Sequence, residues 1–224
     1  MNAIHYTARS PRAKANFCRG EHVPRLDAAR KQDRFESILD AAEQVLVRGG
    51  YAEASMGAVA RQAGVSDGLI YRYFAGKQAL RDQVLTRFYG RLLAEAQLAI
   101  GARKGFHDRL LALVETHLAA FRDDQALCRL FISEVRVAAD YPGSPLQDMN
   151  RRYTQLLARV LRQGIAEGSV KSGTDARLVR DMLYGGMEHV TWRAVNASAV
   201  LDVPGTAVAI VNLLLGGLRP GTAK

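Results

Sequence analysis

The stretch from Ser55 to Leu80 leaves this chain few ways to fold. Ser55 can accept from the free N–H groups of a first helical turn, and Ala58, Val59 and Ala63 recur at helical spacing, which predicts a short helix from Met56 to about Ala63. Gly64 follows, and glycine can take the left-handed conformation that stops a helix and turns the chain. Val65 plugs the corner, and Ser66 caps a second short helix bearing Leu69, Ile70, Tyr73 and Phe74. The result is helix, glycine turn, helix. In such a unit the first helix braces the second, whose N-terminal end can enter the major groove of DNA.

The flanking sequence is helical too. Phe35, Ile38, Leu39, Ala42, Val45 and Leu46 share one face of a helix from about Lys31 to Arg48, which ends at Gly49-Gly50. After Phe74, the 3–4 spacing of Leu80, Val84, Leu85, Phe88, Leu92 and Leu93 predicts a long fourth helix from about Gly76 to Ala99. That helix leaves the first domain for the second and is the candidate lever between them. Further helices are expected at about Phe106 to Phe121, Gln125 to Ala139, Pro145 to Gly168, Thr174 to Asn196 and Pro204 to Leu218, separated by turn formers and caps. Strand signals and internal repeats are absent. The expected fold is all-α: a basic arm (1–30), a three-helix DNA-binding domain (31–80) and a helical ligand-binding and dimerisation domain (81–224).

Charge placement agrees with this division. The net charge is +9, and residues 1–34 carry eight Lys or Arg against three Asp or Glu. Residues 35–90 are neutral, with Arg48, Arg61, Arg72, Lys77, Arg81 and Arg87 offset by six acids. DNA affinity would therefore depend on where charges sit, with the arm adding a salt-sensitive term. The two cysteines, Cys18 and Cys128, form neither a disulfide framework nor a Cys-x-x-Cys metal pair, which suits a reducing compartment. No segment approaches the roughly 18 consecutive apolar residues of a membrane span, and the N-terminus lacks a signal peptide's apolar centre. A cytoplasmic protein is expected.

The run from Ala63 to Leu80, Ala-Gly-Val-Ser-x-Gly-x-Ile-Tyr-x-Tyr-Phe-x-x-Lys-x-x-Leu, resembles the DNA-binding signature of the TetR family of bacterial transcription regulators. The likeness extends upstream through Ile38 to Ala42 and Gly49 to Tyr51. With helix geometry, it implies that Ser55 and Ser66 cap helices and bond phosphates, that Arg61 reaches the backbone, and that Asp67, Gly68, Leu69 and Arg72 face the groove. Tyr71 is a phosphate or base-edge contact, as is Tyr73 unless it belongs to the core with Ile70 and Phe74. Lys77, in the first turn of the fourth helix, is placed to hold a phosphate. Asp67 and Leu69 depart from the family's usual small or polar residue and threonine, so the operator sequence is not readable.

The last two helices carry the apolar surface. Ala207 to Leu218 is apolar all round, and Leu178, Val179, Met182, Leu183, Gly186, Met187 and Val190 form a broad stripe on the helix before. The economical burial is a two-fold four-helix interface using Met182, Gly186, Val190, Val208, Val211 and Leu215. TetR-like proteins dimerise in this way.

The segments Asn150 to Tyr153, Gly164 to Gly168, Asp175 to Leu178 and Gly185 to Trp192 resemble TetR regulators that sense long-chain acyl-CoA. That likeness implies a pocket among Leu110, Leu113, Val114, Leu118, Phe131, Val135, Arg152, Leu156, Val160 and Met187, all except Arg152 and Met187 being core candidates first. Arg129, Arg136, Arg151, Arg152 or Arg159 would meet the phosphates.

An enzyme is not expected. His107 and His117 lie ten residues apart on one helix, about 15 Å along its axis, too far to share a metal. No nucleophile elbow, Walker or dinucleotide fingerprint occurs. No cofactor is expected, and the partners are double-stranded operator DNA, a small lipophilic effector and a second copy of the chain, with no membrane. The reading is a ligand-responsive repressor. A regulator of drug efflux sensing lipophilic drugs is the alternative, disfavoured by the 7% aromatic content, and a ligand-binding protein without DNA function would leave the Ser66 to Lys77 string unexplained.

Overall fold

The computed structural model describes residues 24–196 and 200–218. They form nine helices: α1 Pro24–Glu53, α2 Met56–Ala63, α3 Asp67–Tyr73, α4 Lys77–Gly101, α5 Phe106–Asp123, α6 Gln125–Leu130, α7 Pro145–Ala166, α8 Ala176–Asn196 and α9 Val203–Leu218. The all-α expectation holds, with no strand among the described residues.

α1 begins at Pro24, earlier than the periodicity predicted, so Pro24 to Arg30 belong to the first helix rather than to an irregular arm. A proline is tolerated there because a first-turn N–H has no partner to lose. Residues 1–23, with the rest of the expected arm and Cys18, lie outside the described residues. At the other end, Gly50 (φ 70°) breaks the helix where two glycines predicted a stop, and a short turn continues to Glu53.

Ile38, Ala42, Val59, Ala60, Ile70 and Phe74 bring α1 to α3 together around one apolar centre. That centre continues without interruption along α4, through Leu80, Val84, Leu85 and Phe88, into a second core formed by α5 and α7. An ionic clamp closes the α1–α4 contact. Arg87 donates to Asp40 and Glu43 at 2.7 Å each, and Arg91 donates to Glu43 at 3.2 Å. Burial alone would raise the pKa of Glu43, but hydrogen bonds from Arg91 and Arg87 bring it below the ordinary carboxylate value.

The segment expected to be one helix from Gln125 to Ala139 is not one. α6 passes at Phe131 into a π-helical turn, Phe131–Val135, closed by the Arg136 N–H donating to the Phe131 carbonyl at 2.8 Å. The wider turn keeps Phe131 and Val135 both inside the core while Arg136 points to α8. Single π-turns inside α-helices are frequent at functional sites.

α9 lies on α5 with Val203, Ala207, Val211, Leu215 and Leu218 inward. Val211 and Leu215, expected at a subunit interface, are 0% and 4% exposed within this one subunit, because the i, i+4 stripe they belong to fills its own core. Within this one subunit the outer faces of α9 stay open, Leu213 being 83% exposed and Val208 45%, as are Met182 (66%) and Leu178 (59%) of α8. No described helix is long and apolar enough to cross a membrane.

Candidate nucleic-acid interface and effector cavity

The helix–turn–helix is built from its caps outward. Ser55 Oγ accepts from the Ala58 N–H at 3.1 Å, and Ser66 Oγ from the Leu69 N–H at 3.3 Å. Between them, Gly64 sits at φ 64°, ψ 33°; its N–H donates to the Arg61 carbonyl and the Val65 N–H to the Ala60 carbonyl. This paired closure satisfies carbonyls that α2 would otherwise leave free, and it fixes the angle between α2 and α3. Ile70 and Phe74 anchor α3 inward, while Asp67, Gly68, Tyr71 and Arg72 remain exposed on its outer side. Leu69 is half-buried. Tyr73 is half-buried too, its ring 6.5 Å from both Phe35 and Phe74, so packing claims part of it.

Arg61 and Asp67 gather beside the first turn of α2: a Cβ on Gly57 would lie 3.6 Å from Arg61 Nη1 and 3.9 Å from Asp67 Oδ1. A carboxylate is favoured near the free N–H groups there, which gives Asp67 a role within the protein. Lys77 is engaged as well. Its ammonium donates to the Ala52 carbonyl at 3.0 Å and lies 4.4 Å from the Tyr51 ring centroid, tying the start of α4 to the end of α1.

A cavity of about 440 Å³ opens in the second domain between α4, α5, α6 with its π-turn, α7 and α8. Its wall contains Phe88, Tyr89, Phe121, Phe131, Tyr141, Tyr153 and Tyr184, with His117 among them. The low overall aromatic content therefore says nothing of this site, because the fold has gathered nearly half of the chain's aromatic rings around it. His117 stacks on Tyr153 (5.8 Å) and shares a 3.1 Å hydrogen bond between Nδ1 and the Tyr153 hydroxyl. Burial pushes its pKa down to about 4, so the ring is neutral at pH 7. Burial also raises the Tyr89, Tyr153 and Tyr184 phenols and the Cys128 thiol above their ordinary values.

Charge collects at the outer side of the cavity. Arg136 makes a two-pronged pair with Glu188 at 2.7 and 2.8 Å, and Arg180 pairs with its neighbour Asp181. Arg151, exposed, has Asp148 at 3.6 Å as its one carboxylate partner among the described residues. Three arginines against two lining carboxylates leave the site with one cation in excess.

Of the residues predicted to line a pocket, Phe131 alone does so. Leu110, Leu113, Val114, Leu118, Val135, Leu156, Val160 and Met187 fill the close-packed core instead, and Arg152 is exposed. Among the arginines considered for phosphates, Arg136 and Arg151 line the cavity, whereas Arg129 stacks over Trp192 at 5.4 Å. The missed residues share a signal. Arg180, Tyr184 and Glu188 recur at i, i+4 on α8, and Gln147, Asn150, Arg151 and Thr154 at i, i+3, i+4, i+7 on α7: polar stripes on helices that need an apolar inner face. No group of three or more His, Cys, Asp or Glu residues able to hold a metal occurs among the described residues.

Comparison with known proteins now joins the two halves of the chain. Residues 38–84 match the profile described as bacterial regulatory proteins, tetR family, and residues 86–217 that of the YsiA-like protein C-terminal region. The fatty acid metabolism regulator protein of Bacillus subtilis is 25% identical over 189 residues, covering 84% of this chain and 97% of its own. The HTH-type transcriptional repressor KstR2 of Rhodococcus jostii is 24% identical over 200 residues, covering 87% and 96%. The crystal structure of FadR from Bacillus subtilis in complex with stearoyl-CoA superposes with a TM-score of 0.73 at 25% identity, over 83% of this chain and all of that one. The protein is a member of the TetR family of bacterial transcription regulators.

Proposed function

We propose that this chain is a homodimeric repressor that leaves its operator when an acyl-CoA fills the cavity between α4 and α8. The observation that carries the reading is the course of α4. Its middle supplies Phe88, Tyr89 and Leu92 to the cavity wall, and its first residue, Lys77, stands four residues after the end of the recognition helix α3. From Phe88 to Lys77 is about 16 Å along a helix, so a tilt of about 5° at the cavity moves the start of α4 by about 1.4 Å. Two subunits moving so would alter the spacing of two recognition helices that must match half-sites roughly 34 Å apart. α6 adds a second connection, lining the cavity while resting on α1, and Asp140 beyond its π-turn accepts a hydrogen bond from Gln78 of α4. The shift is bounded by the effector's preference for one arrangement over the other.

An apolar, aromatic interior below an arginine-bearing rim suits a ligand with a hydrophobic acyl part and phosphates. A stearoyl-CoA complex of a relative that superposes along its whole length supports the same class. The exposed apolar residues Leu178, Met182, Val208 and Leu213, together with the open Gly186 surface, supply the two-fold interface. Ser55, Arg61, Ser66 and Lys77 hold the phosphates, Asp67, Gly68, Leu69 and Arg72 face the groove, and Tyr71 and Tyr73 contact a phosphate or a base edge. A lipophilic cation is the competing effector, favoured by the aromatic wall and by Asp181 and Glu188, although arginines already pair both carboxylates.

The test is fluorescence anisotropy of a labelled duplex from upstream of the protein's own gene, titrated with protein, then with palmitoyl-CoA or a cationic dye. Saturable binding released by acyl-CoA alone supports the proposal. Release by dye alone transfers it to the drug class, and binding equal to that of scrambled DNA at the same salt removes self-regulation at this site.

A further inference from the structure

Among the described residues, two buried side-chain polar atoms lack a hydrogen-bond partner: Arg87 Nε, inside the α1–α4 clamp, and the Tyr184 hydroxyl. The second belongs to a residue of the cavity wall. Its ring meets His117 edge-on at 5.1 Å and Tyr153 at 5.9 Å, so three polar rings from α5, α7 and α8 converge on one part of the cavity. His117 and Tyr153 satisfy each other through their 3.1 Å hydrogen bond. Tyr184 is left over. A buried hydroxyl without a partner in the protein is costly, and in a native protein such a group calls for a further partner.

A saturated hydrocarbon chain offers that hydroxyl nothing. It would fill the space beside Phe88, Leu92 and Phe121 but leave the Tyr184 O–H as costly as before. We infer that the cavity selects an acyl group carrying a hydroxyl or keto oxygen on its carbon chain, held by a hydrogen bond from Tyr184 beside the His117–Tyr153 pair. The oxygen belongs on the inner side of the cavity, next to the three rings. Arg151 is exposed and Arg136 and Arg180 are partly so, which places the phosphates at the outer side, whereas the three rings stand at the buried end. The inference rests on the acyl-CoA reading and narrows it from chains in general to oxygenated ones.

Isothermal titration of the full chain tests it without DNA. Octanoyl-, dodecanoyl- and hexadecanoyl-CoA are each compared with the terminal-hydroxyl derivative, in the wild type and in Tyr184→Phe. At the best-bound length the hydroxylated chain should bind about two- to tenfold tighter to the wild type, the ratio that one net hydrogen bond supplies. In Tyr184→Phe that ratio should fall to one or below with both chains still bound, an outcome that a misfolded variant, binding neither, could not give. Equal or tighter binding of the saturated chain to the wild type at every length overturns the inference and leaves the acyl-CoA reading standing. A hydroxyl preference that survives in Tyr184→Phe overturns it too, and binding of no acyl-CoA at all removes both.

Discussion

His117 should make the folded protein sensitive to mild acid. Its folded pKa of about 4 lies below the ordinary histidine value of about 6.5, so the unfolded chain takes up the proton first. Between those two values the unfolded state binds more protons than the folded one, and stability falls as pH falls. The contribution is complete above pH 6.5 and fully lost below about 4. Taking about 1.4 kcal/mol per pH unit, lowering the pH from 7 to 5 should remove about 2 kcal/mol through this residue alone. His117→Phe keeps an aromatic ring in the cavity wall and has no proton to gain. Urea midpoints at fixed protein concentration, read by helical ellipticity at both pH values, isolate the effect as a difference. The wild type should lose about 1 M more than the variant for a urea slope of about 2 kcal/mol/M. Equal losses in the two proteins would falsify the reasoning, since the carboxylates common to both would then account for the whole pH dependence.

Gly164→Ala should destabilise the second domain, because its Cβ would lie 2.6 Å from Phe106 Cδ2 and 2.7 Å from Val170 Cγ2. Overpacking of this kind costs about 1–3 kcal/mol, read as a lower Tm, and Phe106→Leu in the same chain should recover part of it. Lys77→Met removes an ammonium held by the Ala52 carbonyl and the Tyr51 ring; if it also meets a phosphate, operator affinity drops and the salt slope shrinks by about one. An unchanged slope would restrict Lys77 to its structural role. Leu213→Arg puts a charge on the exposed face of α9, and light scattering should find a monomer with operator affinity at least tenfold weaker. A variant that stays dimeric would place the interface elsewhere.

The DNA-binding half was legible in the sequence because its information is local. A cap, a glycine and a second cap within a dozen residues determine two short helices and the angle between them, and Ile70 and Phe74 lie in the core as their spacing required. The all-helical class was equally plain, since it follows from 3.6-residue periodicity along the whole chain. The effector cavity was not legible. Predicted pocket residues such as Leu110, Leu118 and Leu156 were chosen for being apolar on inward stripes, and an inward apolar stripe is what close packing consumes first. Cavity walls arise where helices fail to meet, and that depends on the π-turn at Phe131–Val135 and on the positions of five helices at once.

The same limit explains α9, whose sequence showed that it is apolar but not which side its own subunit covers. Val211 and Leu215 turned inward against α5, and Leu213 was left outside. The sequence by itself determined the all-helical class and the two caps and glycine turn of the helix–turn–helix, because hydrogen bonds and periodicity act over a few residues. Only the tertiary structure decided which polar side chains face the empty space, because that depends on contacts between helices far apart in the chain.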